Sequence, residues 1–238
     1  MIHKTIHYCW FGRGAMPELA IRCIESWHKH MPDWNYQLWN EDNFDVNSTP
    51  YTKEAYEAGK YAFVSDYVRL KALYEEGGLY MDVDFEVLKP FDDLMSNDAF
   101  AGYEGSKHIP VMMGVCASRA GGQWVKEMLD AYEGRHFYVD GEFDMTPNVT
   151  FLSRVMRRGG FIHDGTQKMY KDLTVYPVDY FCPKQTTGEY MKTNNTYCET
   201  RSLNSWAGTN LGWKQLILDL FGQKTRIKII KMKRAIFG

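Results

Sequence analysis

Apolar positions along the chain switch between two periods, and the switches mark its elements. "KTIHYCWFG" alternates and reads as a short strand ending at Gly12 and Gly14. "MPELAIRCIESWHKHMP" sets Ala20, Ile24, Trp27 and Met31 at helical spacing, with Pro17 suited to the first turn and Pro32 beyond the end. "WNYQLWN" alternates again. After the loop "EDNFDVNSTP", helical periodicity runs through "YTKEAYEAGKYAFVSDYVRLKALYEE", which predicts two helices broken near Gly59. Strand, helix, strand, helix, strand within ninety residues predicts a parallel α/β sheet. Further on, "AFAGYE", "VMMGVCAS" and "LTVYPVDYF" read as strands, and "GGQWVKEMLDAYEG" and "NVTFLSRVMRRGG" as helices. Residues 180–212 are polar, aromatic and loop-like.

The fifth of these elements is unusual. In "YEEGGLYMDVDFEVLKP", residues 74–90, an unbroken strand puts Leu79, Met81, Val83 and Phe85 on one face. Tyr80, Asp82, Asp84 and Glu86 then share the other. Asp82 and Asp84 would lie roughly 7 Å apart, and at an effective dielectric near 20 they would repel by roughly 2 kcal/mol. A solvated edge strand tolerates that. A central parallel strand is covered on both faces, and ligands of open α/β sheets gather beyond the carboxyl ends of such strands. A hard divalent cation there turns repulsion into attraction. On the preceding helix Asp66 and Arg69 are three apart and share a face beside the apolar row Phe63, Tyr67, Leu70 and Tyr74. An exposed pair of this kind stabilises by under ~1 kcal/mol; an enclosed one suits a sugar hydroxyl and a phosphate.

Composition narrows the classes. The chain has 238 residues, 45% hydrophobic and 15% aromatic, enough for a sizeable core. Net charge is −2, so no global basic excess points to nucleic acid. Five cysteines are scattered without metal-ligand spacing, which predicts structural thiols in a reducing compartment. No signal peptide or membrane span is evident, so the sequence reads as cytoplasmic, and the sequons at Asn47, Asn148 and Asn194 as chance matches. Nothing repeats internally, and a single domain is expected.

The run "YAFVSDYVRLKALYEEGGLYMDVDFEVLKP" matches throughout the pattern A-x-x-S-D-x-x-R-x-x-x-L-x-x-x-G-G-x-Y-x-D-x-D. It resembles the sugar transferases with a DXD-containing sugar-binding region, family 32 of the glycosyltransferases. "IHYCWFG", "CIESWHKHMPDWNYQLWNEDNFD" and "AFAGYE" resemble their bacterial capsule and exopolysaccharide branch. The D-x-x-R then D-x-D arrangement is also similar to that of toxin glucosyltransferase domains. The resemblance implies a GT-A fold: a Rossmann-like mixed sheet flanked by helices, a single domain with a loop-rich acceptor half. The nucleotide-sugar half is expected over residues 1–105, the acceptor half over 106–222, and a basic tail over 223–238.

The implied reaction moves a sugar from a UDP- or GDP-sugar to a hydroxyl of a glycan or lipid-linked glycan, with retention and with Mn2+ or Mg2+. By analogy Asp84 binds the metal, and Asp82 reaches it through water and touches ribose or donor sugar. Asp66 and Arg69 hold donor hydroxyls. Trp10 is a candidate to pack on the base, or simply a core aromatic. Asn148 is either a donor contact or a helix cap. "TRSLNSWAG" resembles the family's closing segment and makes Ser205 and Trp206 candidates for metal and diphosphate. Thr200 and Arg201 stand where the family's histidines are expected, which leaves Asn204 or Ser205 as the late metal ligand. Two other classes fit part of the pattern: an aspartyl-nucleophile phosphohydrolase and a catalytically silent nucleotide-sugar-binding module. In the tail, Lys224, Arg226, Lys228, Lys231, Lys233 and Arg234 interleave with Ile227, Ile230, Met232 and Phe237. This segment reads either as a contact for an anionic membrane surface or as a solvated helix.

Overall fold

The alternating stretches become strands and the 3.6-period stretches helices, in the computed structural model, which describes residues 1–105, 111–183 and 189–201. In chain order they are β1 (Thr5–Cys9), α1 (Glu18–His30), β2 (Asn35–Trp39), α2 (Pro50–Glu57), α3 (Tyr61–Glu75), β3 (Gly78–Met81), β4 (Phe85–Val87), β5 (Ala99–Tyr103) and β6 (Val111–Ser118). There follow α4 (Gln123–Asp130), β7 (Tyr138–Val139), β8 (Glu142–Phe143), α5 (Asn148–Arg158), β9 (Lys168–Tyr170), β10 (Leu173–Tyr176) and β11 (Cys198–Thr200).

Among the described residues seven strands form one sheet in the order β2-β1-β3-β6-β5-β10-β9. Its first three strands pair in parallel, as their intervening helices require. Beyond them the sheet is mixed: β6 runs antiparallel to both β3 and β5, and β10 is parallel to β5. One sheet therefore runs across residue 105.

Apolar residues fill both sides of it. On one side α2, α3, α4 and α5 contribute Tyr51, Val64, Leu73, Trp124 and Leu152. On the other, Ala20 and Trp27 of α1 and Met31 just past its end pack with Phe91, Phe100 and Phe181. The helix break falls as predicted, with Gly59 at φ 67° between α2 and α3. Thr49 caps α2 by accepting from the Thr52 N–H at 3.1 Å. The five cysteines are free and buried, with thiols pushed up by burial. No helix among the described residues is long and apolar enough to cross a membrane.

Two features hold β3 in place. A Cβ on Gly78 (φ 117°) would lie 2.7 Å from the Thr5 carbonyl, so only glycine lets the turn close on β1. His7, fully buried, accepts from Trp39 Nε1 at 3.1 Å and donates from Nε2 to the Gly77 carbonyl at 2.8 Å. Burial depresses its pKa, and both ring nitrogens are satisfied in the neutral form.

One expectation is overturned here. Residues 78–88 are not a single strand. β3 ends at Met81, a turn closes with the Phe85 N–H on the Asp82 carbonyl at 3.1 Å, and β4 pairs with β11 in a separate two-stranded sheet. The physical reason is that the Trp27 indole captures the Phe85 carbonyl at 2.7 Å and β11 supplies β4 with its own partner. Leu79, Met81, Val83 and Phe85 still face one apolar cluster. The acids, however, are not a row on one strand: Asp82 leaves the end of β3 and Asp84 sits in the turn.

Candidate active site

The site forms where α3 crosses the carboxyl end of β3. Alternating positions on β3 send Tyr80 toward α3, and Asp82 follows it past the strand's end. The Tyr80 hydroxyl donates to Asp82 Oδ1 at 2.8 Å. From α3, Asp66 and Arg69 face the same point and are both more than nine-tenths buried. Arg69 Nη2 bonds Asp66 Oδ1 at 2.8 Å and lies 3.4 Å from Asp82 Oδ1. Its Nη1 donates to the Met113 carbonyl at 2.8 Å and its Nε to the Ser65 carbonyl at 3.3 Å. The guanidinium also lies 4.6 Å from the centre of the Tyr80 ring. Most of the Arg69 donors are thus spent on the protein, which makes it the clamp holding two carboxylates.

Burial sets the electrostatics. Asp66 is pushed up to about 6 by desolvation, with Arg69 opposing and Asp82 adding to the rise. Burial also drives the Tyr80 phenol well above its ordinary value, so it keeps its proton and donates. Burial acts to lower the Arg69 pKa, but the neighbouring Asp82, Tyr80 and Asp66 outweigh it and raise it well above its ordinary value.

The sequence-predicted residues divide. Asp66, Arg69 and Asp82 converge. Asn148 joins them from 82 residues away, donating from Nδ2 to Asp66 Oδ1 at 3.1 Å, while its Oδ1 is buried without a partner. Pro147 stands at the helix cap position, so Asn148 is the first residue of α5 and serves Asp66 rather than capping. Trp10 is half-buried beyond β1, and its indole donates to the Gly14 carbonyl at 2.6 Å. Asp84 sits in the turn that follows Asp82, where its carbonyl accepts from the Arg201 N–H at 2.7 Å. Arg201 itself is bound to Glu86 and Glu199, so it supplies no metal ligand. Asn204, Ser205, Trp206 and the tail lie outside the described residues.

Three participants were not foreseen. Tyr80 stands inside the motif and was readable from it. Gly114 of β6 is the second: its carbonyl accepts from the Asp82 N–H at 2.8 Å, and a Cβ there would lie 2.9 Å from Asp82 Oδ2. Glu104, just past β5, is the third, with a carboxyl pushed up to about 7 by burial and then by the Asp82 charge. Both positions depend on register across β6, which no local pattern encodes.

Carboxylate oxygens are the ligands that a hard divalent cation prefers, and such ions are commonly held by one or two of them plus substrate phosphates. Among the described residues no cluster of three or more metal-ligating side chains occurs, so any further ligands come from substrate, water or elsewhere in the chain.

Residues 17–101 match the family model described as "Glycosyltransferase sugar-binding region containing DXD motif". The chain is similar to "Subversion of eukaryotic traffic protein A" of Legionella pneumophila, 26% identical over 119 residues, covering 39% of this chain and 18% of that one. It is also similar to "Inositol phosphoceramide mannosyltransferase 1" of Schizosaccharomyces pombe, 29% identical over 115 residues, covering 42% and 33%. The chain thus spans a third or less of these relatives' lengths. Among solved structures, "PaToxG Glycosyltransferase" superposes with a TM-score of 0.51 at 18% identity, covering 66% of this chain and 70% of that one. The fold is of the GT-A glycosyltransferase type.

Proposed function

We propose that the chain is a glycosyltransferase that moves a sugar from a nucleotide-sugar to a hydroxyl. The observation that carries this reading is the Asp66–Arg69–Asp82 cluster, buried at Asp66 and Arg69 and open at Asp82, with Tyr80 and Asn148, at the carboxyl end of β3 in a GT-A sheet. A nucleoside diphosphate leaves in such a transfer. The bond from the anomeric carbon to phosphate oxygen breaks with its electron pair on the diphosphate, the acceptor oxygen bonds the carbon, and the acceptor proton passes to the departing phosphate. Attack on the same face retains the configuration, and no carboxylate nucleophile is then needed.

Each side chain has a part. Asp82 and Asp84 would hold Mn2+ or Mg2+, which when bound neutralises the charge growing on the diphosphate. Arg69 fixes the rotamers of Asp66 and Asp82 and keeps a positive charge under the site. Asp66, with Oδ1 taken by Arg69 and Asn148, presents its other oxygen to a donor-sugar hydroxyl. Trp10 stands at the end of β1 for the base. The finer reading is a bacterial enzyme of capsule or exopolysaccharide synthesis, acting in the cytoplasm on a lipid-linked glycan, with residues 224–238 at the anionic leaflet.

The test is nucleotide release from a panel of UDP- and GDP-sugars with Mn2+ or Mg2+. Release with one donor, lost on chelation and reduced at least 100-fold in Asp82→Asn and Asp84→Asn at unchanged melting temperature, is expected. Unchanged release in both variants overturns the reading. The engagement of Arg201 with two glutamates, where the family's histidines are expected, favours one second reading, a silent binding module. Nucleotide binding without release from any donor distinguishes it.

A further inference from the structure

The β7–β8 hairpin carries an apolar tip that the fold leaves in solvent. Tyr138 is 51% exposed, Val139 47%, Phe143 47% and Met145 40%. A contiguous group of this kind marks a contact surface more often than an accident of composition. The hairpin is also firmly held. One oxygen of Glu54, on α2, accepts from the Phe137 and Tyr138 N–H groups at 2.8 and 2.9 Å, and its other oxygen lies 2.6 Å from His136 Nδ1. Arg135 pairs with Asp144 at 2.7 Å and lies 3.7 Å from the centre of the Phe151 ring. Asp140 and Gly141, at φ 52° and 88°, make the two-residue turn that matches the strand twist. Tyr138 and Phe143 are cross-strand partners with ring centres 5.4 Å apart, and Phe143 stacks at 5.5 Å on the buried Phe137.

The base of the hairpin packs on the helix that carries the site. Phe137 packs 4.9 Å from Phe63, one helical turn before Asp66 on α3. From Phe143 the chain reaches Asn148 in five residues, at most about 18 Å when extended, and Asn148 bonds Asp66. Its charges narrow the occupant. Asp140 and Glu142 are exposed carboxylates on the turn, whereas Arg135 and the His136 ring, which lead into the hairpin, are engaged by Asp144 and Glu54. An acidic rim repels anionic lipid headgroups, and a symmetric contact with a second copy would set the same carboxylates against each other. A neutral saccharide matches on both counts. Its C–H faces lie on aromatic rings, and its hydroxyls donate to carboxylates.

We propose that Tyr138 and Phe143 form a platform on which a ring of the acceptor saccharide stacks while its hydroxyl is presented toward Asp66 and Asp82. The inference rests on the transferase reading and names the acceptor side of that site. It is tested by saturation-transfer difference NMR on the full chain, with methyl glycosides of glucose, galactose, mannose and N-acetylglucosamine as probes. At least one glycoside should give ring-proton signals with the wild type. Those signals should fall at least fivefold in Tyr138→Ala/Phe143→Ala and persist in Tyr138→Phe, with circular dichroism melts confirming folded protein. Should the double variant fail to fold, Tyr138→Ser, at a half-exposed position, carries the same expectation. Absent signals in the wild type, or equal signals in wild type and variant, overturn the platform. So does a tip that binds phosphatidylglycerol vesicles or mediates dimers instead. Nucleotide release by the wild type is read separately, so a failed platform and a failed transferase reading give different results.

Discussion

Helix α3 and the β7–β8 hairpin meet at the same corner of the molecule and are built on opposite terms. The helix buries charge: Asp66 and Arg69 lie under Tyr80 and Asp82, and the carboxyl of Asp66 is forced up to about 6 by its surroundings. The hairpin exposes apolar surface, holding Tyr138, Val139 and Phe143 outward on a charged base. Both arrangements cost stability, and each places the expensive group where a substrate would meet it. A buried ion pair gains little against apolar packing, and an exposed aromatic forfeits its burial. Under the transferase reading the helix holds the donor and the hairpin the acceptor.

The largest expected effect breaks the helix side. Arg69→Ala removes the cation between Asp66 and Asp82, leaving the buried Asp66 carboxylate and the partly exposed Asp82 with only polar partners. Loss of one partner from a buried pair typically costs about 3–5 kcal/mol. Urea unfolding should show a loss of that order, and nucleotide release should fall at least 1,000-fold. Arg69→Lys keeps the charge but lacks the fork that reaches Met113, Ser65 and Asp66 together, so it should rescue stability in part and release little. If Arg69→Ala melted as the wild type does, Asp66, Arg69 and Asp82 would not be a mutually dependent unit.

Much of the helix side is legible in the sequence because it is local. The spacing of Asp66 and Arg69, the Gly-Gly turn into β3 and the step from Tyr80 to Asp82 all lie within twenty residues, and each follows from a helical or strand period. The turn at 82–85 is not legible, because it is imposed by Trp27 and β11, partners 58 and more residues away. Gly114 and Glu104 reach the site through the register of β6 with β3 and β5, and Asn148 through the packing of α5. No sequence pattern marks the hairpin. Its strands are two residues long, too short to show a period, and what stabilises them is a glutamate on α2.

A second experiment sharpens the helix side by separating stability from function. Folding pushes the Asp66 carboxyl from its ordinary value of 3.8 up to about 6, chiefly by burial. A carboxyl raised in this way favours the fold while protonated, so its contribution is lost as pH rises from 4 through 6 and stays lost above. Asp66→Asn removes that dependence. Relative to the wild type the variant should be no better at pH 4 and should gain on the order of 1–3 kcal/mol by pH 7.5, less what Arg69 forfeits. Nucleotide release should nevertheless fall at least tenfold. Denaturation at the two pH values decides it: a variant that loses stability equally at both would mean that Asp66 is held charged by Arg69 at no cost.

The smallest effect belongs to the hairpin. Burial alone would raise the Glu54 carboxyl, but the N–H groups of Tyr138 and Phe137 and the His136 ring outweigh it and lower the pKa. A depressed carboxylate stabilises above its unfolded value and stops doing so as pH falls through its folded one. Hydrogen bonds to a charged group typically contribute about 1.5–3 kcal/mol each. Glu54 is a quarter exposed, however, and the freed N–H groups of a surface hairpin turn to water. Glu54→Ala should therefore lower the melting temperature by only a few degrees while the amides of Phe137 and Tyr138 lose most of their protection from hydrogen exchange. Phe137 would stay buried against Phe63 and Tyr51, so the base holds while the tip frays. If the platform reading is right, that local fraying should weaken the glycoside signal more than an equal loss of global stability elsewhere, because the rings of Tyr138 and Phe143 face a sugar only while the two short strands stay paired.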